Sequence, residues 1–348
     1  MNVTIIFIFI IVLLLSFVKS QKALLVSFIC LLWMLSLRTS EIPDTDTYKW
    51  MYDDPFSRMD YNEVGYLFLG YIFNLITNAD FIVYNIFVSV LCLFLWFLSV
   101  RRLFPAENKI GILFLIFLSF YGFFYFGITI RNCLSNLLIF YGISLYLTKK
   151  SKLRIVLYLV IVLLAVFIHK SALFFFVYLL IINRKISTSG CYCIFGLCVL
   201  VWLFSGIGIS RGIIGELSHI SFLDKLDGYA ESREASPNML SLQIIMNFFI
   251  SYFSIRCRRF ILPIFKKIYD CFLKINMLGL ITMSLIWSIP TAYRFYNMFF
   301  FYNFILIYLF VFKNIRIRNN TMKNSILLGV SFVYFAILLY SVPEMLIY

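Results

Sequence analysis

Apolar stretches of roughly 15 to 20 residues recur along the whole chain, and a helix of this length can cross about 30 Å of hydrocarbon. The pattern predicts an all-α, polytopic membrane protein, a single integral membrane domain over residues 1–348, with about twelve transmembrane helices. The predicted spans cover residues 3–18, 23–37, 81–100, 110–127, 128–147, 155–169, 171–182, 188–207, 240–255, 275–290, 295–312 and 325–342.

Three regions depart from the spanning pattern. Residues 64–77 are too short and too rich in turn formers to cross, so we expect an interfacial or re-entrant helix on the outer side. Two longer segments, about residues 38–63 and 208–239, are predicted to be external loops. Because loops on a rigid scaffold concentrate binding groups, we expect the outer face to be the working face.

Composition and charge agree with a membrane protein, since 63% of the 348 residues are hydrophobic and 20% are aromatic. When the short basic loops are placed on one side, that side holds 21 of the 30 Lys and Arg residues but only two of the 16 acids. This is the positive-inside asymmetry, which makes the basic side cytoplasmic and both termini external. The net charge of +14 therefore orients the protein and does not indicate a nucleic-acid partner.

Two smaller observations complete the composition. No basic residue precedes the first apolar stretch and no small-residue cleavage site follows it, so we expect a retained helix and not a signal peptide. The eight cysteines lie mostly inside apolar runs and show no metal-ligand framework. We therefore expect the cysteines to be core residues. No metal and no other cofactor are predicted.

Arg131 is the first of four basic residues near the outer ends of predicted spans. A charge at mid-helix costs about 2.5–3.5 kcal/mol to insert, so such residues need a reason. Arg131 either snorkels to the outer headgroups or is a fixed cation that faces an aqueous cavity. A polar stripe beside it favours the second interpretation, and this stripe contains Thr129, Asn132, Ser135 and Asn136.

Arg294 follows Pro290, which breaks its helix, and is flanked by Tyr293 and Tyr296. One interpretation is an interfacial aromatic belt with a basic anchor. The other is a guanidinium that holds a phosphate or pyrophosphate in bidentate fashion, which a lysine cannot do equally well.

His169 and Lys170 interrupt an apolar run in "VFIHKSALFFFVYLL". If residues 155–182 formed one helix, every later basic loop would move to the outer side. Two short spans that meet at this pair preserve the charge asymmetry, so we predict an external turn here. His169 is then either an interfacial turn residue or a titratable group suited to proton transfer or phosphate binding, and Lys170 is an interfacial anchor.

The first external loop carries seven acids interleaved with aromatic residues. These acids either form a solvated surface or join the rings in binding sugars, because carboxylates accept hydrogen bonds from hydroxyls and rings stack on C–H faces. Asp44, Asp46 and Glu63 are the candidate bases of this loop, and Tyr48 is its candidate binding ring.

Five segments together resemble a known family. In order they are "DTDTYKWMY", "NEVGYLFLGYIF", "GITIRNCLSNLLIFYGISLY", "AVFIHKSALFFFVY" and "YRFYNMFFFYNFIL". Over roughly residues 40–310 the chain resembles the EpsG-like branch of the Wzy-type bacterial polysaccharide polymerases, such as O-antigen polymerases. The most specific segment is "FIHKSALF". The helix that begins near Arg131 differs slightly from the family pattern, because the family often has Gln or Ala where this chain has Asn132 and Ser135.

The resemblance implies a metal-independent membrane glycosyltransferase of the GT-C type in the bacterial inner membrane. Its substrates would be undecaprenyl-pyrophosphate-linked oligosaccharide repeat units, joined at the periplasmic face to make O antigen, capsule or exopolysaccharide. Membrane lipids and a chain-length regulator would be its partners. Arg131 and Arg294 would stabilise the departing pyrophosphate, with Lys170, Tyr48 and Tyr293 as further binding residues. The base would come from His169, Asp44, Asp46 or Glu63.

Two other functions remain open at this stage. A lipid-linked repeat-unit flippase would be expected to show internal repeats and charges spread through the membrane depth, and neither is found in the sequence. An O-antigen ligase has a similar architecture but would be expected to carry a larger external loop near its C-terminal half.

Overall fold

The computed structural model describes residues 4–18, 20–58, 64–149, 151, 153–204, 237–287 and 293–341. Within these ranges the chain is helical, apart from turns and one isolated bridge between Ile261 and Asn314. The predicted all-helical class is therefore confirmed. In chain order the helices are α1 (Thr4–Ser16), α2 (Gln21–Ser36), α3 (Thr45–Asp53), α4 (Val64–Thr77), α5 (Phe81–Leu103), α6 (Ile110–Phe117), α7 (Phe123–Gly127), α8 (Ile130–Thr148), α9 (Leu153–Ile168), α10 (Phe175–Ile182), α11 (Thr188–Phe204), α12 (Pro237–Cys257), α13 (Pro263–Ile286), α14 (Tyr293–Phe300), α15 (Asn303–Phe312) and α16 (Asn320–Ser341).

Within the described ranges, six helical stretches are long and apolar enough to cross a membrane, which identifies the chain as a membrane protein. Each of the twelve predicted spans coincides with helix in the described ranges. Several of them are shorter apolar helices of 10–17 residues, however, so the count of twelve spans stays a prediction. The six long stretches are Phe81–Leu103, Ile110–Gly127, Ile130–Thr148, Pro263–Ile286, Phe295–Phe312 and Asn320–Tyr340.

Large apolar side chains cover the outside of the shorter helices. On α9, for example, Leu163, Leu164 and Phe167 are exposed, whereas Val162 and Ala165 are buried. An apolar surface of this kind is costly in water and is favourable against lipid chains. The exposed face of α9 is therefore consistent with a position in the membrane.

The helices group into two compact units. The first comprises Met1–Leu179 together with Leu327–Tyr348, and the second comprises Leu180–Ile326. In the first unit α8 packs against both α5 and α9. Gly142 permits the close approach of α8 to α9, since a Cβ added there would lie 3.1 Å from Cγ2 of Ile161.

The helix break predicted at His169 is confirmed. The α9 helix ends at Ile168, and His169 is extended, with φ −152° and ψ 118°. A 3-10 turn, Lys170–Phe174, then leads into α10. This extended residue cannot continue the α-helix, so residues 155–182 form two short helical segments.

The structure shows helix in two segments outside the predicted spans, and the external position of the 38–63 segment stays a prediction. The external loop at 38–63 includes α3 and a 3-10 turn, Phe56–Arg58. The helix expected at 275–290 begins at Pro263, a residue that is favoured at the first helical position. In its second turn Asp270 is paired, because Arg258 donates to both of its carboxylate oxygens, at 2.7 Å and 3.1 Å.

Candidate functional site

Tyr48 of α3 lies at the centre of a cationic and aromatic cluster in the first unit. The guanidinium carbons of Arg38 and Arg131 each lie 5.6 Å from the centroid of its ring. The ring of Tyr66, from α4, lies 5.7 Å away. Since Tyr48 is only 2% exposed, its ring is largely covered by these protein groups. A direct contact between Tyr48 and sugar stays a prediction.

Arg38 is the residue of this cluster that sequence reasoning missed. It follows the end of α2 and is 6% exposed. Its Nε donates to Oγ1 of Thr45 at 2.7 Å, and its Nη2 donates to the carbonyl oxygens of Ile128 at 3.2 Å and Pro43 at 3.4 Å. The available signal was an arginine at the outer end of an apolar helix, at the depth predicted for Arg131.

Among the buried donors that have no hydrogen-bond acceptor in the described part of the chain, two lie beside the contact between Arg38 and Ile128. They are Nη1 of Arg38 and the hydroxyl of Thr129, the residue that follows Ile128. Leaving a buried donor unsatisfied costs about 1–3 kcal/mol, so such groups usually meet a ligand or water. Both groups suit an acceptor-rich ligand such as a phosphate.

The electrostatics of the cluster also favour an anion. The two guanidinium carbons are at most about 11.2 Å apart, which is twice their 5.6 Å distance from the ring. At that separation the two charges repel by about 1.5 kcal/mol with an effective dielectric constant of about 20. The two cation–π contacts, at about 0.5–2 kcal/mol each, are of similar size to this repulsion, but they do not neutralise either positive charge. Arg38 makes no ion pair with any described residue, so an anionic ligand would relieve the repulsion.

Arg131 and His169 lie at the same end of the α8–α9 pair. The two helices are antiparallel, because Gly142 meets Ile161 while Ser135 donates to the carbonyl of Ala165 at 3.0 Å. Arg131 lies one helical turn before Ser135, and His169 lies one turn after Ala165. Both residues are half-buried. The two residues are therefore neighbours at one end of this helix pair, and their common depth in a membrane stays a prediction.

The polar stripe beside Arg131 is buried in the protein. Asn132, Ser135 and Asn136 are all buried, as is Thr129. The stripe therefore faces away from lipid, as expected. Ser135 uses its hydroxyl to pair α8 with α9. This contact gives that part of the stripe a packing role, and an aqueous cavity beside it stays a prediction.

The α4 helix brings another motif to the same end of the unit. A Cβ added to Gly65 would lie 2.5 Å from the carbonyl oxygen of Phe167, which is in the last turn of α9. Only glycine permits an approach this close. The start of α4, Val64–Tyr66, is therefore packed against the end of α9, although the two are far apart in sequence.

The candidate acids differ in their surroundings. Asp44 precedes α3, is half-buried and adopts a left-handed backbone conformation with φ 63°. Asp46 lies in the first turn of α3 and is exposed. Glu63 lies outside the described residues, so its predicted role is untested. Lys170 opens the 3-10 turn after His169 and is half-buried.

Arg294 and Tyr293 belong to the second unit. Both lie in the first turn of α14, and their side chains are outside the described part of the chain. Tyr296 of the same helix is fully buried. The roles assigned to Arg294 and Tyr293 stay predictions.

These features define an all-helical membrane protein in which one unit holds two arginines around a buried tyrosine ring. The model of the EpsG family matches residues 22–348, and the chain belongs to the EpsG family. This match confirms the family resemblance and is consistent with a role in polysaccharide polymerisation. A search of the curated proteins found no match, and a search of the solved structures found none either.

Proposed function

We propose that this protein is a polysaccharide polymerase that joins oligosaccharide repeat units carried on undecaprenyl pyrophosphate. It acts at the periplasmic face of the bacterial inner membrane and makes O antigen, capsule or exopolysaccharide. Membership of the EpsG family supports the class of reaction. The pair of arginines around Tyr48 is the observation that carries the proposal.

The chemistry requires stabilisation of a leaving group. When the growing chain leaves its lipid carrier, negative charge develops on the pyrophosphate. Preorganised cations placed where this charge appears are worth about 10²–10³ in rate. Arg131 is half-buried and held over the Tyr48 ring, so its position is set before substrate binds. Arg294 and Tyr293 are also proposed to bind substrate. In this mechanism the positive charge comes from arginines and no metal is needed.

The acceptor sugar also needs a group that takes its proton. His169 lies at the same end of α8 and α9 as Arg131, which makes it a candidate for this step or for pyrophosphate binding. The acids before and within α3, Asp44 and Asp46, are the other described candidates. Lys170 and Tyr48 contribute to binding at the same end of the unit.

The charge distribution supports the periplasmic assignment. The opposite end of the α8–α9 pair carries Lys149 and Arg154, where α8 ends and α9 begins. Basic residues of this kind mark the cytoplasmic side. The Arg131 end then faces the periplasm, where lipid-linked repeat units and a chain-length regulator would meet the enzyme. The proposed architecture is GT-C-like with twelve spans.

Deletion of the gene in its host tests the proposal. We expect loss of long surface polysaccharide, with single repeat units still attached to the lipid acceptor. Complementation with the wild-type gene restores long chains, and Arg131→Gln does not restore them at equal membrane abundance. Arg154→Gln is the matched control, because this arginine also contacts a tyrosine ring, Tyr146, at 4.9 Å but lies at the other end of α8.

Other outcomes would identify the alternatives. Complete absence of attached sugar in the deletion strain would contradict the polymerase and favour a ligase or a flippase. An accumulation of lipid-linked units on the cytoplasmic side would indicate the flippase. Normal chains from Arg131→Gln would remove the cationic site from the mechanism.

A further inference from the structure

The backbone at Asp44 is unusual for a residue with a side chain. Its φ of 63° lies in the left-handed region, and the only other described non-glycine residue with positive φ is Asn78. Aspartate enters this region more readily than most residues, but at a cost. Such conformations persist where the surrounding structure holds them, and they concentrate at functional sites.

Arg38 holds this turn from both sides of Asp44. Its guanidinium donates to the Pro43 carbonyl at 3.4 Å and to the Thr45 hydroxyl at 2.7 Å, so the neighbours before and after Asp44 are both fixed. The Asp44 side chain makes no capping hydrogen bond to α3, although the residue occupies the N-cap position. The carboxylate therefore does not cap the N-terminus of α3.

The same guanidinium reaches the Arg131 helix. Nη2 of Arg38 donates to the carbonyl of Ile128 at 3.2 Å, in the turn between α7 and α8. Arg131 lies in the first turn of α8. Because a guanidinium is planar and rigid, these bonds fix the Asp44 turn relative to the start of the Arg131 helix.

We propose that Arg38 is a positioning residue that fixes the position of the Asp44 carboxylate relative to Arg131. Of the described candidate acids, Asp44 is then the one that takes part in the reaction. Asp46 lies on an exposed face of the first turn of α3, where a carboxylate simply favours the helix N-terminus. The part that concerns catalysis rests on the proposed polymerase function.

In that reaction Asp44 acts as the base. The acceptor hydroxyl oxygen forms the new bond to the anomeric carbon, and its proton passes to the Asp44 carboxylate. The bond between the anomeric carbon and the pyrophosphate oxygen breaks, and its electron pair leaves with the pyrophosphate towards the arginines.

A double-mutant cycle tests the coupling, with chain extension by the purified protein in nanodiscs as the readout. We expect Arg38→Gln and Asp44→Asn each to lower the rate about 100-fold, the effect of a misplaced or missing catalytic group. Asn accepts the left-handed conformation, so the fold of the turn is kept. If Arg38 acts partly through Asp44, the double variant loses less than the product of the two single losses, because the positioning part of the Arg38 effect disappears once the carboxylate is absent. A purely structural role would instead multiply the two losses, and that result overturns the proposal.

Two variants of Thr45, which accepts a hydrogen bond from Arg38, distinguish loss of this bond from a change in side-chain size. Thr45→Ser keeps the hydroxyl that accepts from Arg38 and should retain the wild-type rate. Thr45→Val keeps the shape but removes the acceptor, so we expect about a tenfold loss in kcat with little change in KM. Equal rates for these two variants would contradict the positioning role.

Amide hydrogen exchange tests the link without any activity. With Arg38→Gln we expect faster exchange both in Thr45–Asp53 and around the α7–α8 turn, whereas Arg154→Gln should leave both segments unchanged. Faster exchange at one segment only would show that Arg38 does not join them. If the wild-type protein extends no chains, the polymerase proposal fails, and the exchange result alone then decides whether Arg38 joins the two segments.

Discussion

Gly65→Ala is the substitution whose consequence follows most directly from the structure. The new Cβ would lie 2.5 Å from the carbonyl oxygen and 2.7 Å from the carbonyl carbon of Phe167. Both of these are backbone atoms, so no side-chain rotation relieves the contact. Ordinary contacts begin near 3.4 Å, and α4 must therefore move away from α9 by about 0.9 Å, the difference between 3.4 Å and 2.5 Å.

The expected cost has two parts. Overpacking of this kind destabilises a protein by about 1–3 kcal/mol. In addition, Tyr66 follows Gly65 and packs on Tyr48, at 5.7 Å between ring centroids. A movement of α4 therefore displaces groups around the Tyr48 ring, which contacts both Arg38 and Arg131. A misplacement of about 1 Å can lower the rate about 100-fold. We therefore expect loss of long chains even where the protein still folds.

The assay is the length distribution of surface polysaccharide in a complemented deletion strain, with membrane abundance and thermal unfolding midpoint measured for the same variant. Gly329→Ala is the control, because nothing lies within 4 Å of a Cβ added there. It should keep normal chains and gain slightly in helix stability. If Gly65→Ala gives normal chains at normal abundance, the close approach of α4 to α9 is wrong.

Three further predictions concern single contacts. Arg131→Lys should retain less than about a tenth of the chain-extension rate, since an ammonium cannot reproduce the planar guanidinium; wild-type rates would contradict this. Asp270→Asn should lower the unfolding free energy by about 1–3 kcal/mol, measured by thermal unfolding, because the ion pair with Arg258 is lost. The length of the polysaccharide chains, measured on gels, should not change. Ser135→Ala should cost about 1 kcal/mol through loss of the hydrogen bond to Ala165, measured in the same way.

Local features were predicted from the sequence with good accuracy. Helix positions follow from runs of apolar residues, and the break at His169 followed from the charge asymmetry around it. Both kinds of signal are contained within short segments of the chain. The family resemblance also depended on short motifs, and the match over residues 22–348 confirms it.

Helix starts and distant contacts were harder to predict. The predicted span at 275–290 belongs to a longer helix, α13, which begins at Pro263, a residue favoured at the first helical position. The segment predicted as an external loop contains α3, whose Tyr48 and Met51 are buried, and apolar periodicity over so short a helix did not reveal this packing.

The sequence by itself determined the helices, the membrane class, the family and the individual candidate residues such as Arg131, His169 and Asp44. Only the tertiary structure showed that Arg38 belongs with them, because its bond to Ile128 joins residues 90 positions apart. The contact of the Tyr48 ring with Arg38 and Arg131 depends on how α2, α3 and the α7–α8 turn pack. Hydrophobic periodicity sets which face of each helix is buried, but it does not encode which distant side chains meet there.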